Sequence, residues 1–72
     1  MSGNPEEAFG LKVGDRIELI QMGTDDPYPM EPGAIGTVRG FCVTPGFDQI
    51  WMDWDNGRGL NLIPGVDTWR KL

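Results

Sequence analysis

Asp53-Trp54-Asp55-Asn56-Gly57-Arg58, followed by Leu60 and Leu62, is the stretch that decides how this chain folds. Asn-Gly flanked by alternating apolar residues is the strongest short-range hairpin signal a sequence carries. Two registers are open to it. A two-residue Asn56-Gly57 turn would pair Met52 with Asn61 and set Leu60 and Leu62 on the face of Trp51 and Asp53. A three-residue loop places Asp55 and Asn56 in a type I turn and Gly57 in the left-handed region, so that Met52 faces Leu60 and Ile50 faces Leu62. Only the second keeps apolar side chains together, and a one-residue slip would expose the whole set. The bulged loop is therefore predicted.

Working outward, strands are expected at 16–20, 34–41, 49–54, 58–63 and 68–72. Ile17 and Leu19 alternate with Arg16 and Glu18 in the first. Thr44-Pro45-Gly46-Phe47 is a turn, with Pro setting φ and Gly accepting positive φ. Gly36 and Gly40 are unusual inside a strand and signal curvature or a close approach. Pro64-Gly65-Val66-Asp67 is a second turn. Residues 21–33 have no period and hold three prolines and two glycines, which reads as a long ordered loop. Residues 1–9 read as a flexible tail, with a helical turn at 5–9 as an option because Pro suits a first helical position. The predicted fold is all-β, a small five-stranded SH3-like barrel with a long first loop, occupying residues 10–72.

Composition narrows the function classes. The chain has 72 residues, close to the smallest size at which a core holds without disulfides or metal. It has one cysteine, Cys42, and no histidine, which removes histidine acid–base chemistry and histidine-dependent zinc sites. A lone thiol suits a reducing compartment, and a cytoplasmic location is expected. No signal-peptide pattern opens the sequence, and no apolar run approaches the roughly 20 residues of a membrane span. Six basic against eleven acidic side chains give a net charge of −5, which disfavours direct nucleic-acid binding. Nucleophilic triads, phosphate-binding loops and dinucleotide fingerprints are missing, so an enzyme is not expected, and neither is a cofactor.

Gly14-Asp15-Arg16-Ile17-Glu18-Leu19, Asp25-Asp26-Pro27-Tyr28-Pro29, Pro32-Gly33 with Gly36-Thr37-Val38, and Trp54-Asp55-Asn56-Gly57-Arg58 with Leu60-Asn61 and Asp67 occur in order over residues 11–72. Together they resemble a family of small bacterial, phage and plasmid-borne domains of unknown function. The resemblance implies a compact β domain and brings no catalytic or binding residues with it. The Gly-Thr-Val and Trp-Asp-Asn-Gly pieces are separately similar to parts of other SH3-like modules, which bears on fold more than function.

Asp25, Asp26, Pro27, Tyr28 and Pro29, with Met30, Glu31, Pro32 and Gly33, form the best candidate binding surface. Prolines stiffen the loop, so a tyrosine and carboxylates are displayed with little ordering entropy lost on binding. The competing structural role is Tyr28 packing over an open barrel end. Asp25, Asp26 and Glu31 lack the spacing of a calcium loop, and no metal site is expected. Trp51 alternates with inward Ile50 and Met52 and points outward beside Asp53. It is either an interaction anchor or is covered by the N-terminal segment or Trp69. Gly36, Trp54, Asn56, Gly57 and Arg58 are assigned structural roles, Arg58 stacking on the Trp54 indole. Asp15, Asp53, Asp55 and Asp67 lie near turns, where carboxylates cap backbone N–H groups.

The function expected is a non-enzymatic acidic binding module, an adaptor or inhibitor whose partner is another protein. The alternative is nucleic-acid-linked: a phosphate mimic, or a subunit of a phage or plasmid nucleoprotein machine. A homo-oligomer with a purely structural role is the third reading.

Overall fold

The β4–β5 hairpin shows how alternation becomes a sheet here. A computed structural model describes residues 6–23 and 30–72. Its elements are β1 (Glu7–Ala8), β2 (Leu11–Lys12), β3 (Arg16–Gln21), β4 (Ile35–Thr44), β5 (Phe47–Trp54) and β6 (Thr68–Lys71), with no helix among the described residues. β4 and β5 are joined by Pro45-Gly46, with Thr44 opposite Phe47 and Gly46 at φ 84°. Inward pairs run Phe41 with Ile50, Val38 with Met52 and Gly36 with Trp54. Val38 and Phe41 are three residues apart, which in a regular strand would put them on opposite faces. The register shift between Val38 and Gly40 makes Arg39 an extra residue and restores the parity.

β5, β4, β3 and β6 form one antiparallel sheet in that order, and β1 with β2 makes a separate two-stranded ribbon. The core comprises Leu11, Ile17, Leu19, Met30, Val38, Phe41, Ile50, Met52, Trp54 and Leu62. Trp69 lies opposite Leu19 and packs against it from β6.

Three expectations change. Residues 58–63 are not a strand. They follow β5 through a single antiparallel bridge, Ile50 to Leu62, with N–H to carbonyl distances of 2.8 and 2.9 Å. Two positions along, the side chain of Asn61 takes the place of backbone and accepts the Met52 N–H at 3.1 Å. The indole N–H of Trp54 donates to the Leu60 carbonyl. Side-chain partners thus satisfy this edge without a ladder.

Among the described residues the sheet does not close into a five-stranded barrel either, because β5 and β6 are the two ends of the strand order and no pairing joins them there. Finally, the helical option at 5–9 is replaced by β1. Ala8 pairs with Leu11 across Phe9-Gly10, both at positive φ (57° and 77°), as a two-residue primed turn requires. Ala8 packs on the core, and the Phe9 ring sits 6.3 Å from that of Phe41. The described end of the expected tail therefore belongs to the fold.

Candidate binding site

Asp25, Asp26, Pro27, Tyr28 and Pro29 lie outside the described residues. The segments that flank them are firmly held. The Gly23 N–H donates to Asp67 Oδ1 at 2.7 Å, and Oδ2 of the same carboxylate accepts the Ile63 N–H at 2.8 Å. Asp67 is buried, at 8% exposure, so one carboxylate ties the start of the long connection to the turn before β6. On the other side Met30 is buried in the core, its N–H on Met22 Sδ at 3.3 Å. The Gly33 N–H donates to the Leu19 carbonyl and the Leu19 N–H to that of Ala34, each at 2.8 Å.

The Asp55–Gly57 turn meets this connection. Its geometry is the bulged loop: the Gly57 N–H reaches the Trp54 carbonyl at 3.0 Å, Gly57 has φ 82°, and Asn56 is not at positive φ. Asn56 Oδ1 accepts the Arg58 N–H at 2.9 Å while its Nδ2 donates to Met30 Sδ at 3.7 Å. Asn56 thereby links the turn to the connection. Between them opens a cleft of about 470 Å³ lined by Met30, Glu31, Pro32, Ala34, Asn56 and Arg58. Its lining sets Met30 and Ala34 beside the Glu31 carboxylate and the Arg58 guanidinium, and is more polar than apolar.

Beside the turn, Asp55 takes Arg16 in a two-point pair at 2.8 and 2.6 Å, and Arg16 also donates to Thr37 Oγ1 at 2.9 Å. The guanidinium holds the Asp55 carboxyl below its ordinary range, and the Arg16 pKa rises in turn. Asp15 is likewise lowered, first by the Lys12 N–H and further by Lys71 Nζ at 3.4 Å. Glu18 pairs with Arg70 at 2.7 Å.

Trp51 and Asp53 stand elsewhere, on the outer face of β5, and neither lines the cleft. Trp51 lies against Gly40, where an added Cβ would come within 2.8 Å of its Cε3. Its indole N–H donates to Gln49 Oε1 at 3.2 Å. Trp54 occupies the inner face over Gly36, where a Cβ would meet Cε3 at 2.7 Å. The two strand glycines are seats for two indoles, one inside and one outside. Asn56 and Arg58, read from sequence as structural, also line the cleft. Sequence pattern could not reveal this, because the contact depends on where Met30 is buried. Among the described residues no group of three acidic or cysteine side chains could hold a metal ion.

These features define a small all-β domain with a long connection tethered at both ends, an open cleft beside it, and an aromatic on the outer sheet face. The chain belongs to the family described as Domain of unknown function (DUF4314), whose model matches residues 10–72. No curated protein and no solved structure matches it.

Proposed function

We propose that this domain is a non-enzymatic protein-interaction module, an adaptor or inhibitor, working in the cytoplasm of a bacterium or in the service of a mobile element. Its fold is read as SH3-like. The long connection after β3, the tight β4–β5 hairpin and the return of β6 beside β3 support that reading. The cleft carries the functional one: it opens where residues 30–34 meet the Asn56–Arg58 turn, and Met30 directly follows in sequence the proline-framed stretch that includes Tyr28. Trp51 offers a second contact on the outer face.

The experiment is affinity capture from the native host with mass spectrometry, comparing the wild type with Tyr28→Ala and Trp51→Ala. A partner present in the wild-type eluate should be lost from the variants, with their thermal midpoints unchanged. Equal recovery from all three would defeat the proposal. The pairing of Asp15, Glu18 and Asp55 with cations weighs against phosphate mimicry, which needs a row of uncommitted carboxylates.

A further inference from the structure

Trp51 differs from the other two tryptophans in what it does for the fold. Trp54 is part of the core and Trp69 packs against it, whereas Trp51 is among neither the core residues nor those resting on them. Trp69 is opposite Leu19, on the inner face, and so does not cover Trp51. Of the described N-terminal residues, Ala8 packs on the core and the Phe9 ring stands 6.3 Å from that of Phe41. Gly40 leaves no Cβ under the half-buried Trp51 ring and lets it lie against the sheet. Gln49 fixes its edge through the indole N–H. A glycine inside a strand weakens the strand, and here it seats an aromatic that the core does not use.

Two residues along the same face is Asp53, exposed and without an ion pair or side-chain hydrogen bond among the described residues. An indole face attracts cations through its quadrupole, and a nearby carboxylate adds to that attraction. The net charge of −5 acts in the same direction at longer range. We infer that Trp51 and Asp53 form a receiving site for a cationic side chain, arginine or lysine, presented by a partner protein. This rests on the interaction role proposed above and specifies the chemistry of its second contact. Arg39, exposed and next to Gly40 in the chain, carries a like charge that would oppose an incoming cation.

The test is an NMR titration of the intact domain with capped Gly-Arg-Gly, using capped Gly-Glu-Gly and Gly-Leu-Gly as controls. The Trp51 indole N–H signal, assigned among three by Trp51→Leu, should shift saturably with the arginine peptide alone. Asp53→Asn should weaken binding about two- to fivefold, and Arg39→Gln should tighten it about twofold, since the two charges act with opposite sign. An indole signal that ignores the arginine peptide, or responds equally to all three, would overturn the inference, as would binding indifferent to both charge variants. If the titration fails while capture of the partner still depends on Tyr28, the interaction role stands and the cation site falls. If the titration succeeds while Tyr28→Ala captures normally, the cation site stands and the loop-centred reading falls.

Discussion

A single carboxylate, that of Asp67, closes the base of the long connection. It accepts backbone N–H groups from Gly23 and Ile63 in a buried position. Asp67→Ala leaves both donors without a partner, at a cost of about 2–4 kcal/mol, while Asp67→Asn keeps one acceptor oxygen and should lose about half as much. Urea unfolding of both variants would check the order, and equal loss would mean that the two N–H groups find other partners. The strand glycines separate in the same way. Gly36→Ala places a methyl against the buried Trp54 ring and within 3.1 Å of the Asp53 carbonyl, so overpacking should cost about 1–3 kcal/mol. Gly40→Ala meets the outer Trp51 ring first, and that ring can swing toward water. It should cost less and shift tryptophan fluorescence to the red. Asp55 contributes through pH. Its pKa is lowered in the fold by Arg16, so the pair stabilises the protein above the ordinary value of 3.8, and that contribution is lost as pH falls through the lower folded value. Asp55→Asn should remove this part of the acid limb, seen as a flatter dependence of the unfolding midpoint below about pH 4.

At the scale of the element, the hairpin after β5 was legible because its two registers differ in which side chains meet. Ile50 lies opposite Leu62, and Gly57 alone is left-handed, as the apolar pairing required. Gly57→Ala should cost about 1–2 kcal/mol, measured by thermal unfolding, since nothing crowds the position and the penalty is backbone conformation alone. The same pattern misread residues 58–63. Alternating Leu60 and Leu62 satisfied the period of a strand, but period is silent about who supplies the hydrogen bonds. Asn61 supplies one from its side chain and the Leu60 carbonyl is taken by an indole, so only one bridge remains. The bulge at Arg39 was hidden for a related reason: alternation read straight through IGTVRGF cannot seat Val38 and Phe41 on one face, and only the pairing with Met52 and Ile50 shows that an extra residue is absorbed. Of the cleft's lining, Met30, Glu31 and Pro32 fall in the stretch singled out from sequence, whereas Asn56 and Arg58 join it only through tertiary contact with Met30.

Across the whole molecule, the chain closes on itself through its last strand. Among the described residues β6 pairs only with β3, yet Trp69 packs on the core, Lys71 reaches Asp15, and the Leu72 N–H donates to the Arg16 carbonyl at 2.9 Å. Asp67, immediately before β6, holds both Gly23 and Ile63. A domain of this size has one core and total stability of only about 5 kcal/mol or somewhat more, with no disulfide to hold it once an element leaves. Removing residues 68–72 strips one edge of β3 of its partner and exposes Leu19 and Ile17 where Trp69 and the β6 backbone had covered them. Burial of one tryptophan and the lost ladder together exceed about 3 kcal/mol, which leaves too little for the remaining sheet to stay closed over its core. The truncated chain should therefore unfold as a whole, with loss of dispersed amide signals from β4 and β5 as well as from β3. Retention of a native-like β4–β5 spectrum after the truncation would show instead that the hairpin and its Ile50–Leu62 contact form an independently stable unit.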